Sequence, residues 1–239
     1  MIISFVQTKG GTGKSTLAMN ISFSEIIKNS FGTIALVELD PQGTLRSWWQ
    51  EREETNRPEQ NVSFHHISST QKEVIQEGIK SIATHNELLI LDIPGESVGK
   101  LHTKFACAIS DLVIIPMRTS TNDESAFATN LLPIIREIVK SYPDKIGNFC
   151  VLPSYVHSQA NRQKIINYFR DILPEYVKCL PTIYPFRAIY ENFNRDGMNI
   201  YEFIESIKKN KKLNLIANKT INDIEDIAKV LLDQKKAQN

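Results

Sequence analysis

Cysteine is scarce. Only Cys107, Cys150 and Cys179 occur, far apart and with no C-x-x-C pair. That excludes a disulfide framework and a zinc knuckle and fits a reducing cytoplasm. Long hydrophobic runs are also missing, and none approaches the about 18 residues needed to cross a bilayer. The first stretch, Met1-Ile2-Ile3-Ser4-Phe5-Val6, has no basic lead and no small-residue cleavage site, so a strand is expected there and not a secretion signal. Charge of one sign is absent too. Lys and Arg total 28 against 27 Asp and Glu, a net charge of +1, which argues against a basic coat or an acidic tail. What remains is a globular mixture of 239 residues, 41% hydrophobic and 23% charged. It suffices for one large α/β domain or two small ones and excludes disorder for most of the chain.

Glycine is sparse as well, at 10 residues, but its placement is informative. Gly10, Gly11 and Gly13 fall within four positions, and Gly43 and Gly95 each follow an Asp-containing apolar run. Glycine belongs where backbone turns sharply or approaches something closely. Function is therefore expected in three loops of the first hundred residues.

Apolar runs alternate with helical patterns. Strands are expected at Ile2–Gln7, Thr33–Leu39, Val62–Ile67, Glu87–Ile93, Asp111–Met117, Ile146–Pro153 and Val177–Thr182. Helices are expected at Lys14–Asn29, Thr44–Glu54, Gln71–Ala83, Asp123–Lys140 and Arg162–Leu173, then at Arg187–Asn194, Ile200–Lys208 and Ile221–Asp233. Pro133 should kink or break its helix. Strand–helix alternation with continuously apolar strands predicts an α/β fold, a mostly parallel twisted sheet flanked by helices on both faces. No linker divides residues 1–239, so a single domain is expected, with the helices from about 187 to 239 packed on it.

The strongest motif is Lys9-Gly10-Gly11-Thr12-Gly13-Lys14-Ser15-Thr16, between a strand and a helix, the context of a phosphate-binding P-loop. Gly-rich backbone turns its N–H groups around a triphosphate, and the helix N-terminus adds its dipole. Lys14 is placed to reach the β- and γ-phosphates and the Ser15 hydroxyl to ligate Mg²⁺. Thr8 stands where the strict pattern has glycine. Asp40, in Asp40-Pro41-Gln42-Gly43, ends an apolar strand, where open α/β sheets bind ligands. Its carboxylate either orders an attacking water or the Mg²⁺ shell, or caps the next helix. Asp92, after Leu88-Leu89-Ile90-Leu91, fits the strand-end carboxylate that holds Mg²⁺ indirectly, and Gly95 is where backbone could sense the γ-phosphate.

These motifs resemble the deviant Walker A ATPases of the ParA/MinD superfamily, P-loop NTPases, over nearly the whole chain. Ile115-Pro116-Met117-Arg118 with Asp123 is similar to the strand and helix that follow that family's second switch. Arg187-Ala188-Ile189-Tyr190 through Gly197-Met198-Asn199-Ile200-Tyr201-Glu202 is similar to the C-terminal signature of short plasmid-type ParA proteins. The resemblance implies a slow, partner-stimulated ATPase using ATP and Mg²⁺. Lys9 would be the signature lysine, reaching the partner's phosphates in an ATP-sandwich homodimer. Asp40 would position the hydrolytic water, Asp92 would support Mg²⁺ through water, and Thr16 would join the phosphate cradle. Adenine would pack on Ile183-Tyr184-Pro185. Where family members carry Asn or Arg after the preceding strand, this chain has Pro153-Ser154-Tyr155-Val156-His157.

Within that superfamily, Cys107 and Cys150 lack the setting of an iron–sulfur ligand pair, and no tyrosine cluster follows Tyr201. The chain opens directly at a strand, so no operator-binding module is expected before it. The stripe Ile221, Ile224, Ile227, Leu231 could serve a membrane, but Asp223, Glu225 and Asp226 beside it would be repelled by anionic lipid, so a docked helix is expected. A bacterial, cytoplasmic, nucleoid-associated partition ATPase is therefore expected, with non-specific double-stranded DNA and a ParB-like centromere-binding protein as partners. The alternatives are an ATPase that positions a protein cargo and a MinD-like membrane switch. Lys208, Lys209, Lys211 and Lys212 form the densest basic cluster, either a DNA surface or a solvated helix end.

Overall fold

The computed structural model describes residues 1–236 except 8, 10, 58, 96–99, 208 and 209, and excepting the side chains of 211 and 212. Eight strands are described: β1 (Ile2–Phe5), β2 (Ile34–Glu38), β3 (Val62–His66), β4 (Leu88–Asp92), β5 (Leu112–Met117), β6 (Phe149–Val156), β7 (Val177–Cys179) and β8 (Tyr184–Pro185). They form one sheet in the order β3-β2-β4-β1-β5-β6-β7, with β8 on β6, and every pairing is parallel. The helices are α1 (Lys14–Ser22), α2 (Glu25–Ser30), α3 (Thr44–Glu54), α4 (Lys72–Ala83), α5 (Lys100–Ile109), α6 (Thr121–Ala126), α7 (Leu132–Ser141), α8 (Arg162–Ile172), α9 (Ile200–Ser206) and α10 (Lys211–Lys236). The expected α/β architecture is present.

Strand residues alternate between two cores, as a pleated sheet covered on both faces requires. Ile3, Phe5, Ile34, Leu36, Leu88, Ile90, Leu112 and Ile114 face α1, α3, α9 and α10. Val6, Ala35, Val37, Leu89, Leu91, Val113 and Ile115 face α4, α5, α7 and α8. The register aligns Phe5 and Glu38 with Asp92, so β1, β2 and β4 end at one level. Three loops consequently leave the sheet together at its carboxyl edge.

Several elements differ from the sequence expectation. The helix at Lys14–Asn29 is two helices, because Ser24 accepts a bond from the Ile27 N–H and starts α2. The Glu225 carboxylate completes that start, accepting from the Ser24 hydroxyl and the N–H groups of Glu25 and Ile26. Helix α5 was not expected. The helix at Asp123–Lys140 is α6 and α7 joined by a π-helical turn over Phe127–Leu131. Pro133 follows at once and has no N–H to keep the ladder regular. Residues Arg187–Asn194 contain a 3₁₀ turn, Ala188–Glu191, instead of a helix. β6 lies three residues later than expected, β7 is shorter, and the final helix begins ten residues earlier.

The C-terminal segment is anchored deep in the fold. Ile224, Ile227 and Leu231 are fully buried, so the stripe belongs to the core. Asp223 and Glu225 are not a solvent face: Asp223 is buried against Arg187 and Glu225 caps α2. Arg52 on α3, 1% exposed, donates two parallel hydrogen bonds to the Glu202 carboxylate at 2.6 and 2.8 Å, donates to the Gly197 carbonyl and lies over the Phe23 ring. The Trp48 indole donates to the Met198 carbonyl and packs edge-on against the Phe23 ring. Gly197 sits at φ +67, and a Cβ there would fall 2.2 Å from the Arg52 backbone nitrogen. Gly197→Ala should therefore cost about 2 kcal/mol or more, read as a lower urea midpoint. An unchanged midpoint would mean that this brace does not hold the C-terminal segment.

Candidate functional site

The loop after β1 turns into α1 at Gly13, whose φ of +87 only glycine adopts cheaply. Space is equally restricted, because a Cβ at position 13 would meet the Tyr184 ring at 2.9 Å and the Tyr155 ring at 3.3 Å. Lys14 occupies the first turn of α1 and is only 8% exposed. Burial pushes its pKa down, while the charges of Asp92 and Asp40 pull it back up. The three motifs of the sequence thus meet, with Lys14 from the loop facing carboxylates from the ends of β2 and β4.

Asp92 is fully withdrawn from water, which pushes its pKa up to about 7. The Ser15 hydroxyl bond and Lys14 oppose that rise, and Glu38 and Asp40 add to it. Its Oδ1 has no hydrogen-bond partner among the described residues, and neither has the buried Thr12 Oγ1. An orphaned buried acceptor or donor costs about 1–3 kcal/mol. A hydroxyl, a carboxylate behind it and open acceptor capacity fit a hydrated divalent cation such as Mg²⁺, which uses few protein ligands and several waters. Among the described residues no His/Cys/Asp/Glu cluster suits a metal held by protein alone. The His66 ring bonds the Asp40 carbonyl at 3.0 Å, and the His65 ring bonds the Ser63 hydroxyl at 3.2 Å.

Glu38 is the functional-site residue that the sequence reading missed. It is fully buried at the end of β2 and accepts from the N–H groups of Leu45 and Arg46, both at 2.9 Å. It therefore satisfies the start of α3, whose N-cap, Gly43, lies at φ +68 and has no side chain to do so. Asp40 is thereby relieved of the helix-cap role left open for it. Among the described residues its carboxylate accepts the N–H of Gln42, two residues on, at 2.9 Å, and it stays half-exposed at the loop. The signal in the sequence was an acid closing an otherwise apolar run.

Lys9 does not point into its own loop. Its ammonium, 37% exposed, pairs with Asp123 at 2.6 Å, and the Asp123 side chain is fully buried in the first turn of α6. Asp123 also accepts the Arg118 backbone N–H at 3.3 Å. The Arg118 guanidinium reaches back to the Gly11 carbonyl and stacks over Tyr155, 4.1 Å from the ring centre. Thr16, Tyr155, Tyr184, Pro185 and Tyr190 line an aromatic recess of ≈ 130 Å³ beside the loop. A polar recess of ≈ 420 Å³ shares Pro185 and Arg187 with it. Gly95 is half-buried just beyond β4. Gly10, Lys208 and Lys209 lie outside the described residues. Lys211 and Lys212 open α10, and their side chains are likewise outside the description. Cys107 and Cys150 are buried and Cys179 half-buried, all unbridged, with burial raising each thiol.

Asp92 yields a pH test. Its folded pKa of about 7 lies above the ordinary 3.8, so the folded chain holds this proton more tightly. The stability it contributes is present at low pH and lost as pH rises to about 7. Urea unfolding of the ligand-free protein from about pH 4 to about pH 8 should show that loss, and Asp92→Asn should flatten it. Parallel curves for the two proteins would contradict this assignment.

Comparison with known proteins agrees with the fold. The profile of the CobQ/CobB/MinD/ParA nucleotide binding domain matches residues 3–237. A curated relative, "Maintenance of carboxysome distribution protein A" of Halothiobacillus neapolitanus, is 24% identical over 84% of this chain and 86% of its own. An ATP complex of a variant of Cyanothece McdA superposes with TM-score 0.62 at 16% identity, covering 96% of this chain and 95% of that one. The structure of pNOB8 ParA gives TM-score 0.66 at 12% identity, covering 100% and 99%.

Proposed function

Since the chain belongs to the CobQ/CobB/MinD/ParA nucleotide-binding family, we propose that it is an ATP-driven partition switch. It would dimerise around ATP, bind DNA without sequence preference and segregate DNA with a ParB-like partner. The observation that carries this reading is the Lys9–Asp123 pair. A lysine of the phosphate loop is withdrawn from its own loop and neutralised by a buried carboxylate at 2.6 Å. Such a pair holds the charge in reserve, because a triphosphate on a second subunit is a stronger partner for it than one carboxylate. ATP then joins two chains, and its hydrolysis separates them.

The remaining roles follow from position. Lys14 and the N–H groups at the start of α1 would hold the β- and γ-phosphates. Asp40, free of helix capping, would order the attacking water. Ser15, with Asp92 behind it, would hold Mg²⁺, which when bound neutralises charge on the phosphates. The aromatic recess at Tyr184 and Pro185 would take the base. Phosphoryl transfer needs mostly such positioning and charge neutralisation. DNA contacts are assigned to Lys208, Lys209, Lys211 and Lys212, doubled by dimerisation.

A second reading has support in the carboxysome-distribution relative. The same switch on the nucleoid would then move a protein cargo, with an adaptor in place of a centromere-binding protein. A membrane switch built on the apolar stripe of α10 is disfavoured, because that stripe is buried in the core. No helix among the described residues is long and apolar enough to cross a membrane.

DNA retention tests the switch. With ATP the parent should bind unrelated duplexes and weaken steeply with salt, since affinity falls by about 0.9 log unit per phosphate contact per decade of salt. Lys9→Ala should keep nucleotide affinity within a few-fold and lose DNA affinity by at least about 10-fold. DNA binding by Lys9→Ala equal to the parent's would reject dimerisation as the control.

A further inference from the structure

We propose that Arg118 is a phosphate-contacting residue that exchanges the Gly11 carbonyl for the terminal phosphate of a bound nucleoside triphosphate. This rests on the reading of residues 9–16 as the phosphate cradle. Arg118 follows β5, the strand beside β1, and its backbone N–H is fixed by Asp123, the carboxylate that also holds Lys9. Both residues are thus hinged on one buried acid. Lys9 is neutralised by it, whereas the guanidinium of Arg118 turns the other way, onto the loop.

The described partners of that guanidinium are an uncharged carbonyl and an aromatic ring. Its Nε is buried with no partner. A guanidinium offers five donors in a planar fork suited to two phosphate oxygens at once. A carbonyl plus a ring face leaves most of that capacity unused, and a buried unmet donor is costly. Replacing the carbonyl by a phosphate would satisfy the fork and compensate its charge.

The aim is built in. Tyr155 holds its ring under the guanidinium from a backbone at φ +54, a conformation that a bulky residue adopts only where its surroundings impose it. Tyr184 and Phe186 pack against that ring at 6.5 and 5.8 Å. Gly11 itself lies at φ +71, a left-handed turn that glycine adopts without strain and that presents its carbonyl to Arg118. Lys14 approaches from the buried start of α1, whereas Arg118 meets the loop earlier, at Gly11, on the side of Lys9. Lys14 would thus span the β- and γ-phosphates from the start of α1, while Arg118 would meet the terminal phosphate alone from the Gly11 side.

The test is calorimetric titration of ADP and of a non-hydrolysable ATP analogue into the parent and Arg118→Ala. Affinity for the analogue should fall about 10- to 100-fold, the range for a charge-assisted bond, while ADP affinity stays within about twofold. An equal loss for both nucleotides would make Arg118 a brace for the loop, and no loss for either would make it a bystander. Both results overturn the proposal. If Arg118→Ala does not fold, Arg118→Gln, which can still bond the Gly11 carbonyl without the charge, carries the same comparison. A parent that binds neither nucleotide would instead bring down the cradle reading and this proposal with it.

Discussion

Lys14 and Asp92 are drawn out of water together, and the rest of the site is arranged around that cost. Each is pushed towards its uncharged form by burial and pulled back by the other. Opposite charges in a poorly hydrated site attract strongly, yet their desolvation often outweighs the gain. The sheet makes the arrangement possible. Three adjacent parallel strands end in register, so a loop lysine and strand-end carboxylates arrive at one point with little freedom to relax. A highly charged ligand with its cation would restore the solvation that folding removed, which is why the site suits nucleotide chemistry better than a static ion pair.

The surrounding acids divide the labour. Glu38 takes the backbone groups at the start of α3, which leaves Asp40 at the loop. Asp123 holds Lys9 and the Arg118 backbone at once. On the far side, Asp223 and Glu225 tie α10 to Arg187 and to α2. Cations of the loop and carboxylates of distant elements are thus paired by tertiary structure, whereas the partners of the Arg118 guanidinium among the described residues are a carbonyl and a ring.

Much of this was legible in the residues. Gly13 had to be glycine, Lys14 and Ser15 followed it into a helix, and the apolar runs ending at Asp40 and Asp92 announced where the strands stop. The helix expected at Thr44–Glu54 coincides with α3, which follows the left-handed turn at Gly43. The break at Ser24 was hidden, since Ile26 and Ile27 continue the apolar stripe across it. Helix α5 has no counterpart among the expected helices, although Leu101, Phe105 and Ala108 are spaced as a helical face. Asp223 and Glu225 looked solvated because helical periodicity assigns polar residues to the outside. Their partners lie 36 and about 200 positions away, beyond any local pattern. The same distance concealed the pairing of Lys9 with Asp123 and of Arg118 with Gly11, and those contacts decide how the site is poised.

The account turns on Lys9 changing partner when ATP arrives. Light scattering on the eluting protein, in ADP and then in a non-hydrolysable ATP analogue, measures this most directly. The account predicts the mass of one chain in ADP and of two chains in the analogue, with Lys9→Ala remaining at one chain in both. A parent of equal mass in the two nucleotides, or a Lys9→Ala variant that doubles like the parent, would contradict it.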